Sequence, residues 1–450
     1  MYIGFDYGTA NCSVAVMEQG NPQMLSLEGD KKYIPSTLCA PTREAVSEYL
    51  YRHMGVTPSD TVGEQVLRRA IAFNREEDII VEAGDLRLGQ AALDLYLEDP
   101  EEVYYVKSPK SFLGANGLRD VQISFFEDLV CAMMKNIKNQ SEQTLQQDIT
   151  STVIGRPVNF QGSGGETANQ QAEKILTQAA IRAGFKNIEF QFEPVAAGLE
   201  YESTLTENKT VLVVDIGGGT TDCSIIEMGP QWRNKADRQA SLLAHSGLRV
   251  GGNDLDIHLA FRQLMPMLGL GSKTQKGIDM PISQFWNPIA INNIAAQTDF
   301  YSNANLKVLD QLKRDAAEPQ KLDHLLRVYF ETLGYQLVRK AEEGKIALSD
   351  SPDCRIALNS FAEVLEVNVS QQDMAAAIES PRVKISQLVT EAITQSGKKP
   401  DVVYMTGGTA RSPILRSCIE QQLPDVPVVS GSFFGSVTAG LARWAEQCFL

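Results

Sequence analysis

The chain has 450 residues, with 41 Lys+Arg against 56 Asp+Glu and a net charge of −15. So acidic a chain is poorly suited to grip nucleic acid through phosphate contacts, which need clustered Lys and Arg. Its 43% hydrophobic and 22% charged residues are those of a globular protein rather than a disordered one.

Length alone predicts about three domains at roughly 150 residues each. No apolar run approaches the ~18–20 residues that span a bilayer. Met1, Ile3 and Phe5 run straight into Asp6, so no signal peptide is expected. Seven Cys show no Cys-x-x-Cys spacing and four His show no paired metal-ligand pattern. Reduced thiols in a cytoplasmic protein are the expectation.

In chain order, Met1–Val16 reads as strand, glycine turn, strand. Residues 44–102 hold 14 acidic and 5 basic residues, a local −9 that reads first as a solvated helical face. Thr152–Pro157 reads as a strand. Glu166–Ala183 has helical apolar spacing closed by Gly184, a C-cap signal. Ile188–Phe192 is a further strand, and Pro194–Tyr201 opens a helix on a proline. Val211–Asp215 is a continuous apolar run, followed by Gly217-Gly218-Gly219 and a second apolar run at Cys223–Ile226. Residues 265–305, rich in Met, Gly, Pro, Asn and Gln, suggest a partly irregular insertion. Leu306–Ala347 is helical with a break near Pro319. Val402–Met405 reads as a strand, Pro413–Gln422 as a helix, and Gly431–Leu450 as a loop and helix. Alternating strands and helices predict an α/β architecture.

The stretches around Asp6 and Asp215 are alike: apolar strand, Asp, x, Gly, small hydroxyl, strand. The two aspartates lie 209 positions apart, almost half the chain, which points to two lobes on one plan. In the first turn, Gly8, Thr9 and Ala10 let backbone N–H groups converge as an anion nest. Asp6 cannot bind phosphate but can hold Mg²⁺ through water. In the second, three successive glycines (Gly217, Gly218, Gly219) before Thr220 suit close main-chain approach by a ligand. Two such hairpins face to face would grip a polyphosphate. Gly251-Gly252 and Gly407-Gly408 add two more close-approach turns, the latter after a buried strand. Neither a P-loop nor a Rossmann fingerprint is present to explain these glycines.

These residues resemble the actin-like ATPase superfamily, and within it the DnaK-type heat-shock chaperones. Ile3–Ala15 and Val211–Ile226 are similar to the branch's two phosphate loops. Phe192-Glu193-Pro194-Val195-Ala196-Ala197-Gly198, His245–Asp256, Ala341–Ser349 and Met405–Pro413 resemble its other motifs, in family order. The resemblance implies an α/β, two-lobed actin-like ATPase fold made of duplicated ribonuclease H-like domains. Lobe I is expected at 1–204 with an acidic insertion at about 36–115, and lobe II at 205–450 with an enlarged insertion at about 253–366. No C-terminal peptide-binding domain is expected, because the chain stops at Leu450.

The resemblance also implies roles. ATP or ADP is the ligand, with Mg²⁺ and K⁺ as ions. Asp6 and Asp215 would hold Mg²⁺ through water, with Glu193 placing metal and attacking water and Asp222 assisting. Lys110 would stabilise the transferred phosphoryl group, and Thr220 would sit near the γ-phosphate. Glu342, Lys345 and Ser349, on one helical face, would hold the nucleoside, with Gly408 and Arg411 opposite. The sequence departs from the pattern at four places: Ala10-Asn11 lacks a hydroxyl, Ile346 replaces an adenine-stacking arginine, Phe434-Gly435 replaces Asp-Glu, and Arg156 precedes Pro157.

The expected function is a slow, Mg²⁺-dependent ATPase acting as a chaperone-like switch on an unidentified client or cochaperone, without nucleic acid or membrane. A small-molecule kinase of the same superfamily, with Asp222 as base, and a nucleotide-binding pseudo-ATPase are the alternatives. A partner meeting the acidic region would carry a basic or mixed surface.

Overall fold

Two sheets built on one plan carry the chain. The first contains β1 (Tyr2–Tyr7), β2 (Asn11–Glu18), β3 (Asn21–Met24), β4 (Ser151–Arg156) and β5 (Asn187–Phe192), in the spatial order β3-β2-β1-β4-β5. The second contains β6 (Lys209–Ile216), β7 (Thr221–Met228), β8 (Leu242–Leu248), β9 (Val402–Thr406) and β10 (Val428–Ser430), in the order β8-β7-β6-β9-β10. In each sheet the first two strands form an antiparallel hairpin and the first strand pairs parallel with the fourth. The half-length repeat in the sequence is therefore a repeat of topology. The computed structural model describes all residues except 99–101, 161–164, 234, 236, 360, 362–364 and 432–434, and the side chains of 97 and 294.

Between β3 and β4 the chain makes a small three-stranded sheet (Arg87–Leu88, Thr37–Ala40, Tyr104–Lys107) and the helices α1 (Arg43–His53), α2 (Thr61–Glu76) and α3 (Asp120–Leu145). Side-chain caps start the first two helices: Thr42 accepts from Ala45 N–H at 3.0 Å and Asp60 from Gly63 N–H at 2.8 Å. Helix α4 (Gly165–Ala183) buries Ala172, Ile175, Leu176 and Ala179, and ends at Gly184 with φ +104° as its sequence predicts. Helix α5 (Glu193–Thr204) follows β5 directly.

The region 265–305 is a series of short helical turns packed around Phe285, Ile289 and Phe300. The long helical stretch after it breaks twice rather than once. Helices Asn303–Asp315 and Pro319–Phe330 part before Pro319, and a second break precedes α6 (Gly334–Asp350). Thr332 adopts φ +50° there, and a Cβ on Gly334 would lie 1.9 Å from the Pro288 carbonyl oxygen, so packing against the insertion ends the helix. The closing helix is α7 (Ser436–Phe449).

Each sheet has its own apolar core, and a third core lies between them. Helices α5 and α7 form that third layer. Val195, Ala196 and Leu199 of α5 and Leu441 and Trp444 of α7 meet Val153 of the first sheet and Val211, Val213 and Tyr404 of the second. Helix α7 packs chiefly on β1, β2 and α5. Its first turn is tied to both sheets, by Ser13 Oγ and Thr438 Oγ1 at 2.6 Å and by Thr406 Oγ1 and Ser436 Oγ at 2.5 Å. At the crossing of α5 and α7, Gly440 lies directly on the Ala196 carbonyl. All seven cysteines are free. Among the described residues no helix is long and apolar enough to cross a membrane.

Candidate functional site

The two hairpin turns face each other at the carboxyl ends of β1 and β6. Asp6 sits one residue from the end of β1, and Asp215 occupies the same place in β6. In the second hairpin Gly217 N–H donates to Thr220 O at 2.9 Å, closing a tight turn. The turns abut: a Cβ on Gly218 would lie 2.8 Å from Ala10 Cβ, and one on Gly219 would lie 3.8 Å from Thr9 Cγ2.

A charged cluster lies below them. Lys110, 4% exposed, donates to a Glu193 carboxylate oxygen and, at 3.3 Å, to Gly155 O. Ser108, in the left-handed region at φ +57°, turns the chain into the short helix Pro109–Phe112 that carries this lysine inward. Glu193 opens α5, so the helix brings its carboxylate to the site. Asp215 and Asp222 are register partners across β6 and β7. Burial raises Asp6 to about 7, with Glu193 and Asp215 adding and Lys110 opposing. Burial, Asp222 and Glu193 raise Asp215 to about 7, again against Lys110. Asp222 is raised to about 7 by burial and Glu193, opposed by Lys110 and a hydrogen bond from Thr220. Burial leads in all three aspartates, and the neighbouring carboxylates add to it against the single buried ammonium of Lys110.

The remaining glycine turns brace the second hairpin. Gly252 N–H donates to Gly217 O at 2.9 Å, Asn253 N–H to Gly218 O at 2.7 Å, and Thr409 Oγ1 to Gly217 O at 3.1 Å. Gly251 N–H is held by Asp254 Oδ2 at 2.9 Å. Gly407, at φ +86°, passes so close that a Cβ would meet Ile216 O at 2.4 Å and Asp215 Oδ1 at 2.5 Å. Only glycine fits there. Gly408 begins the turn that carries Thr409 and Arg411.

The predicted nucleoside residues divide. Lys345 of α6 reaches the glycine turn, 2.8 Å from Asp256 Oδ1 and 3.3 Å from Gly252 O. Glu342 lies within electrostatic range of Lys107 and Asp256. Ser349 instead donates to Lys345 O within its own helix at 3.2 Å. Arg411 pairs with Asp350 at the end of α6, at 2.9 Å. Ile346 is exposed. Arg156 pairs with Glu173 and lies over the Phe192 ring at 5.0 Å. Of the pair Phe434-Gly435, residue 434 lies outside the described residues.

Two contributors were not anticipated. His245 sets Nε2 3.4 Å from Asp222 Oδ1 and Nδ1 3.0 Å from Ser224 Oγ, and burial lowers it to about 4, so the ring is neutral. Only the register of β7 and β8 brings it there. Asp256 anchors Lys345; its place in Asp254-Leu255-Asp256 was the available signal. Across the mouth of the cleft the halves also touch. Arg249 donates to Ser111 O at 2.8 Å, and Lys107 lies 5.5 Å from the Tyr335 ring centroid. Among the described residues no three His, Cys, Asp or Glu could ligate one ion together.

Duplicated sheets with facing phosphate-type hairpins define a two-lobed actin-like ATPase fold. The family model of the Hsp70 protein matches residues 116–268. Similar curated proteins include the chaperone protein dnaK of Emiliania huxleyi, 24% identical over 451 residues, and that of Trieres chinensis, 25% identical over 443 residues. The matches cover 92% and 94% of this chain but 60% and 62% of those relatives, so the chain spans about three fifths of their length. The chain is thus similar to the Hsp70 protein family and to its dnaK-type members.

Proposed function

We propose that the chain binds ATP between its two lobes, hydrolyses it slowly with Mg²⁺, and couples this to lobe opening and closing as a chaperone-like switch on a protein partner. The observation that carries the reading is the meeting of Asp6, Glu193, Asp215, Asp222 and Lys110 beneath two facing hairpins. Crowded carboxylates raised to about 7 are a donor set short of positive charge, which fits a divalent cation held through water. Such a cation, when bound, neutralises phosphate charge.

The chain's own residues do the rest. The backbone N–H groups of Gly8–Ala10 and Gly218–Thr220 cradle the phosphates. Lys110 places its ammonium against the transferred phosphoryl group and gains mobility when Glu193 turns to solvent and metal. Glu193 and Asp222 orient the attacking water, with neutral His245 fixing Asp222. Water adds to the γ-phosphorus, the bond to the bridging oxygen breaks, and a carboxylate takes the proton. Asp256 and Gly252 hold Lys345 beside the ribose. Helices α5 and α7, shared by both sheets, form the hinge layer.

Calorimetric nucleotide titration and a steady-state ATPase assay on the purified chain, with and without unfolded peptide, test this reading. Binding of Mg-ATP with slow phosphate release is expected. Absence of nucleotide binding refutes it. Robust phosphorylation of a sugar acceptor would favour a kinase instead, and binding without turnover a pseudo-ATPase.

A further inference from the structure

A cavity of about 360 Å³, lined by no residue of the hairpins, lies between α1, α2 and the start of α3. Its size is that of ligand pockets. The floor is apolar, with Phe73 and Phe125 its largest side chains, and Arg43, Arg69 and Arg119 stand around it with Glu44 as the acidic exception. Arg43 lies 4.4 Å above the Phe125 ring. Among the described residues none of the three arginines makes an ion pair, although Arg68 next to them does, with Glu64.

Two of the three stand at helix N-termini. Arg43 is the first residue of α1 and Arg119 is the N-cap of α3. The positive end of each helix dipole repels a cation at that place. The stretch 44–102 offers 14 carboxylates, Glu44 at the cavity among them, yet among the described residues none forms an ion pair with these arginines. Two helix N-termini and three guanidiniums thus converge on one apolar basin, so positive potential is concentrated in an otherwise acidic region. At this point a complementary partner surface would be acidic, beside the basic or mixed one expected for the rest of the acidic region.

We propose that this cavity receives an acidic segment of a partner protein, one apolar side chain entering the basin while flanking carboxylates meet the arginines. Guanidinium forks bind carboxylates bidentately, and the aromatic floor takes the apolar group. The arginines are exposed at the rim rather than enclosed, which suits a segment laid across the surface better than a small buried anion. The −9 surroundings oppose a long polyanion such as nucleic acid.

The test is fluorescence anisotropy on the full chain with a labelled Asp-Glu-Phe-Glu-Asp peptide and its Asn-Gln-Phe-Gln-Asn counterpart. The acidic peptide should bind at least about tenfold tighter. The double variant R69Q/R119Q should abolish that preference while melting like the wild type and keeping its ATP turnover. Equal binding of the two peptides, no binding up to about 1 mM, or an unchanged preference in the double variant would overturn the proposal. So would displacement of the peptide by an equal concentration of N-acetylphenylalanine, which would mark a small-molecule site, or tighter binding of a short RNA.

Discussion

Replacing Gly440 by alanine tests whether the crossing of α5 and α7 controls the site. The new methyl would lie 1.9 Å from Ala196 O and 2.5 Å from Ala196 C, both backbone atoms that no rotamer change can move. Ordinary contact begins near 3.4 Å, so the helices must separate by about 1.5 Å. Overpacking of this kind costs about 1–3 kcal/mol. Alanine gains about 1 kcal/mol of helix propensity over glycine, so the net change runs from about zero to a loss of about 2 kcal/mol. Ala196 lies in the first turn of α5, three positions after Glu193, and the displacement carries that carboxylate away from Lys110. A shift of about 1 Å can cost on the order of 10²-fold in rate. Urea unfolding and single-turnover ATP hydrolysis read the two effects. A variant stabilised by about 1 kcal/mol, with turnover within about twofold of wild type, would refute the reasoning.

Lys110→Ala should retain ATP binding and lose about 10²–10³ in hydrolysis; equal turnover would show that this lysine does not act on the phosphoryl group. Asp215→Ala should weaken Mg-ATP binding by calorimetry, and unchanged affinity would remove that aspartate from the site. Glu202, buried at 1% exposure, accepts from both Nη atoms of Arg238 at 2.9 and 2.8 Å and from Gly229 N–H at 3.0 Å. Glu202→Ala strands a buried guanidinium, so urea unfolding should show a loss of about 3–5 kcal/mol; a much smaller loss would mean the charge finds water. Asp6, Asp215 and Asp222 bind protons more tightly folded, at about 7, than unfolded. Their contribution is full below the usual carboxylate range and is lost as pH rises through about 7. Without nucleotide or Mg²⁺, the D6N/D215N/D222N variant should therefore gain stability over wild type as pH rises from 5 to 8, measured by thermal melting. Parallel melting profiles would contradict the raised values.

Much of this was legible because local chemistry announces it. Asp-x-Gly between apolar strands marks both hairpins, and Gly184 marks the end of α4. The resemblance supplied Lys110 and Glu193 separately, but their ion pair depends on how Ser108 turns the chain. His245 was opaque, because a register between β7 and β8 decides its neighbour. The break before Gly334 was equally hidden, since it answers to a carbonyl of Pro288 far along the chain. Ser349 and Arg411 share the expected neighbourhood, yet their polar groups are engaged by Lys345 O and Asp350.

The place of α7 has a consequence for synthesis. Ser13 and Thr438, hydrogen-bonded partners, are separated by 425 positions. The strands β1 and β2 leave the ribosome early, and the helix that covers them follows some 425 positions later. At ~5–20 residues per second, that face stays open for roughly 20–80 s. A closure of such long range also folds slowly once the helix has emerged. During that interval the nascent chain leaves open the surface of β1 and β2 on which α7 packs.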